Sequence, residues 1–134
     1  RHFTLSELIK SETADELGID NVPNFAQVQM LALFVDSCLE PIRAAAGRPV
    51  IINSGYRCKA LNDVVSESKT SHHMMKGGHC AADITLGDSG LNRSLFGLLE
   101  KSDIPINEWI LGKGAAYIHV SWHPWLRKRE VIKL

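Results

Sequence analysis

What the sequence has little of narrows its function first. Its three cysteines, Cys38, Cys58 and Cys80, are too few, and odd in number, for a disulfide framework. One pair is allowed; buried or free thiols are the expectation. Charge of neither sign is in excess, since 15 Lys and Arg face 15 Asp and Glu for a formal net charge of zero. A nucleic-acid surface needs a basic patch, so no nucleic-acid partner is expected. The one short basic run, Arg127-Lys128-Arg129, reads as a solvated turn. No apolar run reaches the roughly 20 residues of a membrane helix, so no membrane span is expected. Internal repeats and low-complexity linkers are absent. At 134 residues the chain suits a single domain, 1–134, with one modest core, and a monomer is expected. It opens at Arg1 without a signal-peptide pattern, which processing or trimming could conceal, so the compartment stays open.

What is there reads as helices and short strands. Thr4-Leu5-Ser6-Glu7 has the form of a capping box and predicts a short helix after it. Residues 19–24, with Pro23, read as a loop. From Phe25 to Ala46, Val28, Leu31, Val35, Cys38, Leu39 and Ile42 recur at three- and four-residue steps, the period of one buried helix face. Pro41 should kink or divide that helix, and Gly47 should end it. Pro49–Asn53 is β-branched and apolar and predicts a strand, broken at Ser54-Gly55. A turn or two of helix fits 58–65, a second strand 82–85, and a helix Ser89–Lys101. Further strands are predicted over 106–111, 116–122 and 130–134. The fold class is α+β: a small, largely antiparallel sheet with helices on one side.

The densest chemistry lies in Ser71–Ile84, where His72, His73, His79, Cys80 and Asp83 are threaded with glycine and small residues. Asp83 stands in an apolar strand, Ala81-Ala82-Asp83-Ile84. An unpaired carboxylate is costly to bury, so Asp83 reaches solvent, pairs with a base or binds a metal. In Tyr117-Ile118-His119-Val120-Ser121, alternation puts Tyr117, His119 and Ser121 on one face and the apolar residues on the other. A hydrogen-bonded strand histidine is the plain reading of His119. His73, Asp83 and His119 together offer two imidazoles and a carboxylate. That set suits a catalytic zinc, which keeps a fourth position for water, and equally a non-haem iron triad. The helical N-terminal half argues against the all-β barrel usual for the iron case.

Several segments, in order, resemble the M15 family of zinc peptidases, the D-Ala-D-Ala carboxypeptidase and phage-endolysin group, and most of all its small single-domain branch. They run from Phe3-Thr4-Leu5-Ser6-Glu7 and Gly18–Pro23 through Leu39–Arg43, Gly47–Val50 and Ser54-Gly55-Tyr56-Arg57 to Ala60-Leu61-Asn62. Ser68–His73, Ala81–Ile84 and Ile118–Trp122 complete the set. The resemblance implies a Hedgehog/DD-peptidase-like fold and Zn2+ bound by His73, Asp83 and His119. It implies that Arg57 faces the substrate and stabilises its developing negative charge, for which a planar, permanently charged guanidinium is suited. Ser71 matches the motif serine that orients substrate; its alternative is a loop cap. Arg57 is expected to hold substrate rather than fold, its alternative being a structural ion pair. The implied partner is a peptidoglycan stem peptide.

The sequence departs from that pattern twice. The family motif, roughly Ser-x-His-x-x-Gly-x-Ala-x-Asp, spaces its histidine and aspartate by about seven residues; His73 and Asp83 are ten apart. About three extra residues therefore fall in Met74–Cys80. His79 and Cys80 are expected to be free surface residues, the alternative being an added ligand that would close the site. The second departure is the general base, a carboxylate that takes a proton from metal-bound water. Close relatives have glutamate where this chain has Gly112, and other branches have an acid at the position of Ala116. The nearest acid along the chain is Glu108, which shares a strand face with Ile106 and Ile110. A solvent-facing Glu108 is the expectation, an inward one the alternative. Two functions follow: a zinc peptidase cutting cell-wall peptides, or a peptidase-fold protein that binds metal or peptide without cutting.

Overall fold

The computed structural model describes residues 1–134. Thr4 caps α1 (Leu5–Ile9), its side chain accepting from the Glu7 amide. Ser11 caps a second short helix, α2 (Glu12–Leu17), which ends at left-handed Gly18. Asn24 and Gln27 form a reciprocal capping box for α3 (Phe25–Phe34). The long periodic segment then continues without a break. Val35–Leu39 widens to π-helical turns and passes into α4 (Glu40–Ala46), which stops at left-handed Gly47. The cause is Pro41. A proline lacks the amide for the ordinary ladder, and its ring strikes the carbonyl four residues back; the wide π turn ahead of it takes up that conflict. Pro41 neither ends nor divides the helix.

Five strands follow the order β1-β2-β4-β3-β5: β1 (Ile51–Ser54), β2 (Cys80–Thr85), β3 (Glu108–Leu111), β4 (Ile118–Trp122) and β5 (Glu130–Lys133). All pairs are antiparallel except β3 with β5. Helix α5 (Lys59–Val65) follows β1, and α6 (Ser89–Lys101) links β2 to β3. The fold is thus a small α+β fold with a mostly antiparallel sheet. One sheet face carries Ala82, Ile84, Trp109, Leu111, Ile118, Val120 and Trp122, all buried. Against it pack Leu31, Phe34, Cys38, Leu39 and Ile42 of the long helix and Leu95, Phe96 and Leu99 of α6, forming one core. The basic run Arg127-Lys128-Arg129 is exposed, but Arg129 also has partners. Its guanidinium lies 4.7 Å from the centre of the Trp109 ring and donates to the carbonyls of Leu99 and Ser102. No helix is long and apolar enough to cross a membrane. All three cysteines are free, and Cys38 and Cys80 are buried.

Candidate metal centre

The other sheet face carries the site. Strand pairing sets Asp83 opposite His119, with Ile110 beyond it and Ser54 on the near side. One row of the sheet thus brings together residues from four strands. Between Ile52 and Ser54 the β1 register shifts by a bulge. The bulge turns Ser54 from the core face to the face of Asp83, a re-aiming typical of bulges near functional sites. His73 comes from outside the sheet, in the single turn His72–Met74 that crosses over β2.

Three atoms converge here. His119 Nδ1 lies 2.8 Å from Asp83 Oδ1, and His73 Nε2 lies 3.3 Å from each of them. A tetrahedral ion with bonds of about 2.0–2.2 Å separates its ligand atoms by about 3.3–3.6 Å, so this triangle is near the size that such an ion requires. These three residues form a group that could hold a metal ion. His73 Nδ1 sits 2.7 Å from the Gly55 carbonyl. A carbonyl only accepts, so that nitrogen carries the proton and Nε2 offers its lone pair to the site. Burial alone would raise the Asp83 carboxyl. In the metal-free site, protonated His119 and His73 donate to the carboxylate, and those bonds with their charge outweigh burial and hold the group far below the usual carboxylate range. Asp83 is therefore an anion at neutral pH, as a ligand must be.

Arg57 closes one side. Its Nε donates to Ser54 Oγ at 3.1 Å, Nη1 to Asn62 Oδ1 at 3.1 Å, and Nη2 stands 3.7 Å from Asp83 Oδ2. Asn62 is fully buried and holds the Ser68 carbonyl with its amide. Arg57 thus fastens β1, α5 and β2 together as well as facing the site. Burial lowers its pKa, against the opposing charges of Asp83 and Tyr117. Ser71 accepts from the His73 amide at 3.3 Å and caps that turn. Glu108 is turned inward. Its Oε1 lies 3.8 Å from His119 Nε2, the imidazole nitrogen facing away from Asp83.

The lengthened segment builds a second layer. Met75, Gly77 and Gly78 are all left-handed, which folds the turn back so that His79 stacks on His72 at 3.8 Å, with 1° between the rings. His79 also meets His123 edge-on at 5.0 Å. A Cβ on Gly78 would stand 3.0 Å from His123 Nε2. His72 Nδ1 reaches Ser121 Oγ at 3.1 Å, which explains why Ser121 is fully buried. Burial first, then neighbouring imidazoles, pushes the pKa of His72 and His79 down, so both are neutral at neutral pH. Neither His79 nor Cys80 joins the three-residue group. Cys80 is no surface residue; its thiol points into the core toward the Met30 carbonyl.

Gly112 has an ordinary φ of −65°, yet a Cβ there would lie 2.4–2.7 Å from the Tyr117 ring. Tyr117 fills the space that a side chain at 112 would take. A family model described as Peptidase M15 matches residues 1–121. The chain belongs to the peptidase M15 family. No curated protein sequence matches it significantly. M15 membership supports hydrolase chemistry of the peptidase type, and M15 peptidases are generally zinc-dependent. Against that family background, sequence reasoning missed the structural roles of Asn62, Tyr117 and His123. For His123 a signal existed: it continues the alternation of Tyr117, His119 and Ser121 along β4. For Asn62 and Tyr117 there was none, because their partners Arg57 and Gly112 are set by packing.

Proposed function

We propose that this M15 chain is a zinc-dependent peptidase acting on peptidoglycan peptides, a D-Ala-D-Ala carboxypeptidase or a related cell-wall endopeptidase. The observation that carries the reading is the triangle of His73 Nε2, Asp83 Oδ1 and His119 Nδ1, with edges of 2.8–3.3 Å. Zinc held there would supply an acidified water and polarise the scissile carbonyl. Arg57 presents its remaining N–H groups to the oxygen on which negative charge develops. Ser71 fixes the His73 turn, and its hydroxyl is also the one that orients substrate. Glu108 Oε1 faces His119 Nε2 across 3.8 Å, beyond hydrogen-bond contact, and is the one carboxylate outside the ligand set that faces a ligand. It stands on the far side of His119 from Asp83, poorly placed to take a proton from water at the centre, so turnover is present but slow.

A second reading is favoured by Gly112 and Ala116. Neither position carries an acid, and Tyr117 fills the space at 112. On that reading the chain binds metal or cell-wall peptide without cutting. Metal content, measured together with release of D-alanine from a peptide ending in D-Ala-D-Ala, separates the two. Zinc near one per chain with slow release supports the peptidase. Zinc without release from any cell-wall peptide supports the binding protein. No zinc uptake overturns both metal assignments.

A further inference from the structure

The sheet ends on an unshared edge beside the site. β1 pairs only with β2, and Ile51, Ile52 and Asn53 make no main-chain hydrogen bond to any other element. Such an edge is a template for another strand unless it is blunted by proline, charge or cover. β1 reads Ile-Ile-Asn-Ser, with no proline and no charge, and Ile51 is half exposed. A cleft of about 470 Å³ lies along it. Its floor is Ile52–Ser54, and its walls are Lys10–Thr13 at the α1–α2 junction and Leu61 and Val65 of α5.

Arg57 belongs to both the cleft and the metal centre. It lines the cleft and stands 3.7 Å from Asp83. Of its five N–H groups, three face Ser54, Asn62 and Asp83, which leaves two. The cleft therefore leads from open backbone donors and acceptors to a guanidinium with free donors, and from there to the ligand triangle. Lined from the α1–α2 junction and from α5, the cleft suits one extended chain better than the sheet edge of a second folded copy.

We infer that the substrate peptide adds to β1 as an extended strand, its backbone pairing with the free edge and one of its carbonyl or carboxylate oxygens taken by Arg57. This rests on the peptidase reading for its choice of peptide. Four residues of β1 can pair with about four of the peptide, because strand partners share one rise per residue. Main-chain pairing supplies affinity that tolerates varied side chains, including those of D-residues on one face. In an antiparallel ladder only alternate residues of one strand bond to a given neighbour, so the pairing has a signature of period two.

The test uses the full chain loaded with zinc. The probe is a fluorescent stem pentapeptide whose D-Ala-D-Ala amide is reduced to a non-cleavable methyleneamine. Single N-methylations along the peptide should weaken binding about 3- to 10-fold at alternate positions and little between them, the scale of one lost hydrogen bond. Amide exchange at Ile51–Asn53 should slow on binding. Val65→Asp, on the cleft wall, should weaken binding several-fold with zinc content unchanged. Binding without alternation and without slowed exchange in β1 overturns the inference, as does no binding at millimolar peptide. Cleavage of the unmodified peptide is followed in parallel. Alternation without cleavage upholds the strand addition and sinks the peptidase; cleavage without alternation does the reverse.

Discussion

At the scale of single residues, each imidazole of the triangle has one nitrogen toward the site and one turned away from it. Gly55 holds His73, and Glu108 faces His119. Removing such an outer partner typically costs 10- to 100-fold in metal affinity, and removing a ligand costs more. His119→Ala should therefore lose zinc almost completely in a chelator competition, while Glu108→Gln should lose about 10-fold along with turnover. Unchanged zinc affinity in Glu108→Gln would leave Glu108 as a proton acceptor only. Arg57 serves fold and site together, contrary to the expectation that it serves substrate alone. Arg57→Lys keeps charge but loses the bonds to Ser54 and Asn62. With Asn62 Oδ1 left unpaired in the interior, a cost of about 1–3 kcal/mol follows, read as a lower denaturant midpoint beside weaker peptide binding. The thiols give a pH test. Burial pushes Cys80 up to about 12 and raises Cys38 further. A raised folded pKa means stability fully present below the unfolded value near 8.5 and lost as pH rises toward the folded one. Melting temperature should fall above about pH 9, and at pH 8 a thiol reagent should label Cys58 alone in the folded chain.

At the scale of elements, irregularities do the aiming. The β1 bulge turns Ser54 toward Arg57, and three left-handed residues bring His79 over His72. The departure at Gly112 is likewise a matter of packing. Its backbone would accept any side chain, but the Tyr117 ring stands 2.4–2.7 Å from the Cβ position. Gly112→Glu should thus fail to restore a base and should destabilise by about 1–3 kcal/mol, as overpacking does. Gly112→Glu with Tyr117→Ala should recover most of that loss. A double-mutant cycle in denaturant reads the coupling, and additive losses would mean that the two positions do not share space.

At the scale of the molecule, the core and the site lie on opposite faces of one sheet. The core has its own buried side chains from α3 to α6 and does not depend on the triangle. Metal should therefore stabilise the fold without being needed for it, unlike the small zinc domains that unfold when stripped. At free zinc 100 times Kd, linkage gives about 2.7 kcal/mol, roughly 10 °C in melting temperature for a domain of this size. Chelation should lower the melting temperature by that amount and leave the far-ultraviolet dichroism unchanged. Loss of the dichroism signal on chelation would show that the centre, not the core, holds the fold.

The sequence by itself marked most of the elements and put forward His73, Asp83 and His119, a group that could hold a metal. Three-residue periodicity marked the long helix, alternation put His119 opposite the apolar face of β4, and an aspartate in an apolar strand demanded a partner. Helix α2 went unread because its six residues carry a cap but no periodic stripe, and the distortion expected at Pro41 takes the form of a π turn rather than a division. What only the tertiary structure decided were meetings between residues distant in sequence: Glu108 behind His119, Tyr117 over Gly112, Arg57 bonded to Ser54 and Asn62, and His79 stacked on His72. The reason is geometric. A strand's alternation tells which face a side chain takes, but register and turn conformation choose its neighbours, and both are set by how the whole sheet packs on its helices.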